Sequence, residues 1–319
     1  TDGAMATAAK SPNVARDVVT SEVKGLMNNI LKFENGFFFR DGTGTVATLT
    51  DGQAAGTTAD VRVDDARMIW DGGTYNQYNS ALSAKDGDVV ISNVETALHS
   101  SGDSLINLST GLAATTAGSD VLVWNGARNR AITGLDKLID DSATTFQSVN
   151  VANNPRYSST VLSNGGTKRD LTPALFRSML ASIQTRSGSE RPSDGLSVLC
   201  DSWQAINVEE LYEGELRLTP ESKVGGLAVA AFQSALGRID IIVDTDCLHN
   251  KMFFCDFSKI YRAVQKQLGW RREGGSIFKR SDVSGVYTAT AIEIAEMYIK
   301  ERHTSGKIED LNASMTTAY

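Results

Sequence analysis

Ser104, Asp246 and His249 are the residues whose types could run a reaction. A serine hydroxyl becomes a nucleophile when a histidine takes its proton and a carboxylate orients the imidazole. Asp246 and His249 stand three residues apart in the run Asp-Cys-Leu-His. A second chemistry surrounds them, because Asp240, Asp244, Asp246, His249 and Asp256 offer oxygen ligands of the kind that hold Ca²⁺ or Mg²⁺. Their spacing fits no metal loop, and aspartates between strands are ordinary turn formers. Cys247 and Cys255 lack a further Cys–His pair at zinc spacing and read as core residues. Asp41-Gly-Thr-Gly-Thr45 has the glycines of a phosphate cradle but neither its lysine nor a following helix, so a loop or hairpin is expected. The stretch QKQLGWRR (265–272) joins cations to an aromatic ring, as nucleic-acid contacts do. In an acidic chain such a cluster is expected to serve a subunit or intramolecular contact. His99 and His303 read as surface histidines. No metal or cofactor site is expected.

The elements that must position these residues are bounded by composition. The chain has 319 residues, 41% hydrophobic and 22% charged, enough for one large domain or two ordinary ones with a real core. Thirty-one Lys and Arg against 38 Asp and Glu leave a net charge of −7, a poor basis for gripping nucleic acid through a broad basic face. No apolar run approaches the roughly 20 residues of a membrane helix. Residues 1–20 lack the apolar centre of a secretory signal, and with no starting Met the chain is expected to be processed or trimmed. Three cysteines argue against a disulfide scaffold and for a reducing compartment. Twenty-eight glycines cluster with Thr, Ser, Ala and Asp between short apolar runs, mostly before residue 170, which is turn chemistry for many short strands.

Along the chain, a flexible arm is expected over 1–10 and a helix over 11–33, capped by Ser11 and open to a break at Gly25. Residues 34–82 hold Phe37-Phe38-Phe39 and then a Gly/Thr/Ala/Asp stretch too poor in large apolar residues to form a core by itself. Strands are expected on either side of the turn Asp71-Gly72-Gly73 and again at 88–98, 103–108 and 120–125. The clearest helix is 173–186, with Thr172 as cap, Pro173 at the first position and Gly188 beyond the end. A second helix is expected at 202–213, with Asp201 and Gln204 as a capping box and Gly214 at its stop. Residues 239–243 and 252–256 read as two buried strands around one turn, and 285–300 is open between strand and helix.

Two resemblances attach functions to this order. Gly102-Asp103-Ser104-Leu105 resembles the nucleophile motif of GDSL esterases, which would make Ser104 the nucleophile, His249 the base and Asp246 its orienter. That motif follows a buried apolar strand near the N-terminus, whereas Ser104 follows the polar ETALHSSGD, and no Gly-x-Asn-Asp block supplies an oxyanion donor. Turns at 101–104 and 244–251 are expected instead of catalysis.

The second resemblance covers about residues 10–311. DVRVDDARMIWDGGTYNQYN (60–79), AGSDVLVWNGARNRAITGLDKLIDD (117–141), GRIDIIVDTDCLHNKMFFCDF (237–257) and SGKIEDL (305–311) are similar to phrases of the major capsid proteins of tailed double-stranded DNA bacteriophages. The resemblance implies an α+β, HK97-like capsid fold. Residues 1–33 would be the N-terminal arm and 34–82 an extended β-hairpin loop with flanking strands. Residues 83–190 would supply peripheral-domain strands and the spine helix, 191–256 the axial domain, and 257–319 the return to the peripheral domain and the tail. It implies a non-enzymatic subunit that self-assembles into pentamers and hexamers of an icosahedral head, enclosing DNA without reading its sequence. Scaffolding and portal proteins, with a decoration protein as a further candidate, would be its partners; its place would be the virion, after assembly in the host cytoplasm. An encapsulin-like shell shares the fold and is the neighbouring alternative. Some capsids of this fold form a Lys–Asn isopeptide bond assisted by a Glu; Lys85 is the one candidate lysine. Phe37, Phe38, Phe39, Trp70, Tyr75 and Tyr78 are expected either to anchor subunit contacts or to fill the subunit's own core. Segment 36–66, unable to order itself, is expected to gain strand pairing and cover from a neighbouring copy. A negative tile also repels packaged phosphate instead of pinning it.

Overall fold

The computed structural model describes residues 12–95, 103–113, 120–142, 144–188, 196–212, 222–224, 227–234, 237–272, 279–280 and 287–312. The expected arm 1–10, the Ser11 cap, His99, Gly102 and Gly214 lie outside them. The first element, α1 (Pro12–Phe38), is longer than its sequence pattern suggests and runs unbroken through Gly25. Its last turn is held where Phe33 and Phe37 meet a core, so packing extends the helix past the expected end at residue 33.

Six strands follow: β1 (Thr45–Thr48), β2 (Val61–Val63), β3 (Thr74–Tyr78), β4 (Lys85–Val94), β5 (Ser104–Leu108) and β6 (Val121–Trp124). They pair in the order β1-β6-β3-β4-β5-β2. The ends of that order then meet. Leu49 bridges Val63, the Thr50 amide donates to the Arg62 carbonyl at 3.1 Å, and the Asp64 amide to the Thr48 carbonyl at 2.9 Å. The sheet is a closed barrel, and closure removes the edges that an open sheet would expose. Its interior gathers Val46, Leu49, Val61, Val63, Tyr75, Ile91, Ile106 and Leu122. This corrects the expectation that segment 36–66 gains its strand pairing and cover from a neighbouring copy. The segment is indeed too poor in apolar residues to stand alone, but Val89, Ile91, Ile106, Leu108 and Leu122 of its own chain complete its core.

The second half is built on a seven-stranded mixed sheet. Its strands are β9 (Thr160–Leu162), β10 (Leu196–Cys200), β11 (Ser222–Val224), β12 (Leu227–Ser234), β13 (Gly237–Val243), β14 (Met252–Asp256) and β19 (Gly306–Ile308). They lie in the order β11-β12-β13-β10-β14-β19-β9. Strands β13 and β14, expected as partners around one turn, are instead separated by β10, parallel to the first and antiparallel to the second. Both faces are covered, so alternate residues feed two cores. Val198, Cys200, Met252 and Phe254 pack under two helices, α3 (Pro173–Ser187) and α4 (Ser202–Tyr212). Leu199, Phe253 and Cys255 face Phe39, Ile299 and the short α2 (Leu135–Leu138). Helix α3 forms as its sequence dictates: Thr172 Oγ1 accepts from the Leu175 amide at 3.2 Å, and Gly188 closes the end at φ +57°. The capping box expected at α4 does not form. Gln204 is buried and donates instead to the carbonyls of His249, at 2.8 Å, and Asn312, at 2.7 Å.

Small hairpins β7 (Thr145–Phe146) with β8 (Val149–Asn150), and β16 (Lys279–Arg280) with β17 (Tyr287–Thr288), complete the list with one long pair, β15 (Ile260–Trp270) and β18 (Ala291–Ile299). The stretch 285–300 thus resolves as strand where it is described. Among the described residues no helix is long and apolar enough to cross a membrane.

Candidate functional site

The groups that could have run a reaction are placed apart or engaged elsewhere. Ser104 lies in β5, buried and opposite Val63 in the barrel wall. His249 gives its Nδ1 to Asp201 Oδ2 at 2.7 Å, and its Nε2 lies 4.0 Å from Asp65 Oδ1. Asp246, the expected orienter, accepts from Asn35 Nδ2 at 2.8 Å. The Asp246 amide donates to Asp244 Oδ1 at 2.8 Å, the turn geometry expected of these aspartates. Among the described residues no three His, Cys, Asp or Glu side chains are arranged to hold a metal. All three cysteines are buried. Burial pushes the Cys200 thiol up to about 12 and raises Cys247 and Cys255 as well, so none carries the thiolate that reactivity needs.

What His249 and Asp201 do instead is join the two halves. Arg67, just past β2, contacts Asp65 at 3.0 Å and Asp201 at 3.2 Å, and donates to the carbonyls of Cys247, at 2.5 Å, and Thr245. Arg40 reaches Asp65 from the far side at 3.4 Å. Burial alone would raise the Asp65 carboxyl, yet Arg67, Arg40 and His249 hold it down at about 2. A second clasp ties α2 to the sheet, where Lys251 and Lys307 meet Asp136 at 2.7 and 2.8 Å and Glu309 at 3.2 and 2.9 Å. Neither clasp was legible in the sequence, because the Asp65–Arg67 pair is far along the chain from Asp201 and His249, as Asp136 is from Lys251 and Lys307, and only the fold brings them together. Gly134 makes the barrel-side junction tight: a Cβ there would collide with the Phe37, Phe38 and Arg40 carbonyls at the end of α1.

Four of the six aromatic residues singled out for subunit contact are consumed inside the chain. Phe37 and Tyr75 belong to the barrel core, Phe39 lies 6.3 Å from Phe253, and Tyr78 is buried with the Arg128 guanidinium 5.0 Å over its ring. Tyr75 Oη donates to the Met68 carbonyl at 3.2 Å, and burial pushes its phenol up to about 12. Trp70 and Phe38 remain within reach of solvent. Trp70 packs edge-on to Phe33 and tilted against Trp124, with ring centroids 4.6 and 4.7 Å away, but stays 41% exposed. It overhangs a groove of about 380 Å³ between α1 and the turn at Asp246, lined also by Asn29, Lys32 and Met68. Phe38 lies 5.6 Å from the Arg262 guanidinium.

The β15–β18 ribbon is a long element with little cover. Eleven residues of β15 span about 36 Å at strand rise, and among the described residues neither outer edge is paired. An isolated two-stranded ribbon is marginal in water, so its base is pinned. Ile260 faces the buried Ile299, Arg262 bonds Glu34 of α1 and Glu293 of β18, and Glu296 accepts from the Thr133 amide at 2.7 Å. Burial, and next to it the Glu293 charge, raises the Glu34 carboxyl. The ribbon leaves Ile294 and Tyr298 exposed on one face and Val264 on the other. Leu26 and Leu31 do the same on α1, upstream of its packed end. Lys85, the cross-linking candidate, sits 2.5 Å from Asp88 on the barrel. Among the described residues the arrangement offers unpaired strand edges and apolar side chains to another surface.

Comparison with known proteins bears on what that surface is. A family model described as SU10 major capsid protein matches residues 8–293. No curated protein matches the chain. Among solved structures it is similar to a chain of the capsid asymmetric unit of cyanophage A-1(L), with a TM-score of 0.39 and 18% identity over 58% of this chain and 60% of that one. It is also similar to a chain of the holo-SrpI encapsulin complex from Synechococcus elongatus PCC 7942, with a TM-score of 0.36 and 8% identity over 50% of this chain and 56% of that one. The matched stretch spans less than two thirds of either of those chains.

Proposed function

Because the chain belongs to the SU10 major capsid protein family, we propose that it is a shell subunit whose copies assemble, through heterologous contacts that close on themselves, into pentamers and hexamers of an icosahedral head around double-stranded DNA. The observation that carries this reading is the β15–β18 ribbon, whose edges are unpaired among the described residues and whose exposed Val264, Ile294 and Tyr298 cost nothing to a subunit that is always covered by its neighbours. The HK97-like layout is part of the proposal. Helix α3 would be the spine, the sheet region within 191–256 the axial domain, and residues 1–33 the arm. The extended element reaching across a neighbour would be the ribbon within 260–299 in place of segment 34–82, whose strands the barrel absorbs. Trp70 and Phe38, the two aromatic candidates still reachable, would stand at subunit contacts. Scaffolding and portal proteins, and a decoration protein, would act on this assembly in the host cytoplasm.

Negative-stain microscopy of the purified chain tests the reading. Uniform shells or capsomer rings are the expected result. A monodisperse monomer at every concentration and ionic strength would remove it. Ser104→Ala should assemble like the wild type, whereas a hydrolase would lose its turnover with that hydroxyl.

A further inference from the structure

The barrel and the ribbon carry opposite charge. Between Thr45 and Trp124 the sequence holds ten carboxylates against three cations, a net of −7, which equals the net charge of the entire chain. Between Phe257 and Lys300 it holds eight cations against four carboxylates, a net of +4. Burial decides which of these a partner can reach. Asp65, Asp103 and Asp120 are inside, but Asp51, Asp60, Asp71, Asp86, Asp88 and Glu95 are exposed around the barrel. Two of the barrel's three cations are already committed on that exterior, Arg62 to Asp51 at 3.4 Å and Lys85 to Asp88 at 2.5 Å, and the third, Arg67, belongs to the inner clasp. Arg128, just beyond β6, adds one exposed cation over the Tyr78 ring, and against six exposed carboxylates the barrel exterior stays anionic. On the ribbon, Arg262 is taken by Glu34 and Glu293, while Lys266, Arg271 and Arg272 are exposed on β15 and just beyond it.

Within one subunit the ribbon is anchored to α1 and to Thr133, and the barrel's exposed carboxylates face outward. We infer that the ribbon of one copy docks on the anionic exterior of the barrel of the next copy. The inference rests on the assembly reading above and names the surfaces it would use. Opposite potentials steer two such surfaces together and fix their register, while burial of Ile294 and Tyr298, which share one face with Lys266, supplies the apolar part of the contact. A nucleic-acid partner fits less well, because Glu293 and Glu296 on β18 and the exposed Ile294 and Tyr298 give phosphate little to hold.

Charge exchange tests it with four full-length proteins: wild type, a ribbon variant (Lys266→Glu with Arg272→Glu), a barrel variant (Asp71→Lys with Asp86→Lys), and the two combined. All positions are exposed, so circular dichroism should show the same fold in each. Shell formation is followed by sedimentation and microscopy against protein concentration. Each one-sided variant should raise the assembly threshold about tenfold or more, and the combined protein should return to within about threefold of wild type. Added salt should weaken wild-type assembly. One-sided variants that assemble at the wild-type threshold, or a combined variant no better than either, would overturn the docking. So would ribbon-variant shells that form normally and lose only their packaged DNA, which would place the ribbon against nucleic acid. A wild-type chain that forms no particle at all would overturn the assembly reading itself, and this inference with it.

Discussion

The barrel and the ribbon are made from the same material, short antiparallel strands, and end in opposite states. The barrel owns the glycine- and threonine-rich stretch that looks least able to fold, yet the Leu49–Val63 bridge closes it around a buried apolar core. The ribbon is richer in Ile, Val, Tyr and Trp, yet among the described residues it leaves both edges and several large side chains uncovered. Composition therefore measures how much apolar surface a segment brings, while topology decides whether that surface is covered within the chain. A subunit that is complete in one region and open in another has a defined place at which to meet its copies.

The sharpest way to break this contrast is at the clasp that makes the barrel part of the rest. Arg67→Ala leaves Asp65 and Asp201 buried with one cationic partner fewer, and breaking such a pair costs about 3–5 kcal/mol. If the barrel is a closed unit joined through this clasp, the variant should unfold in urea as two separated transitions, the lower one moved well below the wild-type midpoint. A single transition at the wild-type midpoint would show that the barrel owes nothing to Arg67.

How much of this was legible in the sequence differs by region, and for a physical reason. Helix α3 could be read outright because Thr172, Pro173 and Gly188 act locally on its ends. After the turn Asp71-Gly72-Gly73 the expected strand forms as Thr74–Tyr78, but the one expected to run up to Trp70 ends at Val63, and the two pair with other strands. Pairing was not legible. Nothing near β13 or β14 announces that β10, some forty residues upstream of the first, inserts between them, and nothing in Asp201 announces that His249 and Arg67 will draw it away from capping α4. The ribbon was visible only as a basic, aromatic run at 265–272 and an undecided tail, because a long open edge has no residue signature of its own. The family was legible in longer phrases, where order along the chain counts for more than any one contact.

The two clasps also set a pH dependence that reaches the barrel and the sheet but bypasses the outer ribbon. Asp65 is held at about 2 by Arg67, Arg40 and His249, and Asp136 at about 2 by Lys251 and Lys307, in each case against the opposing effect of burial. Both folded values lie below the roughly 3.9 of an unfolded Asp. The stabilisation is therefore complete above about pH 4 and drains away as the pH falls towards 2, by about 2 kcal/mol for each residue. Urea midpoints measured from pH 5 down to 2.5 should fall, and Asp136→Asn should flatten part of that slope while lowering the midpoint at pH 5. A wild-type midpoint that holds level over this range would refute the clasps as drawn.

The smallest effect on the folded subunit should belong to the ribbon, and that smallness is informative. Ile294 is 47% exposed, so Ile294→Ser should move the subunit's unfolding free energy by no more than about 0.5 kcal/mol. Fully burying an isoleucine is worth about 1.5–3 kcal/mol, and in a shell the loss recurs at every copy of the contact. The variant should thus melt with the wild type as an unassembled subunit and yet need a higher concentration to form particles. If it lost stability as a subunit instead, Ile294 would already be covered within its own chain, and the ribbon would be as closed as the barrel. Equal stability with equal assembly would leave the open edge real but put the neighbour's contact elsewhere along β15 and β18.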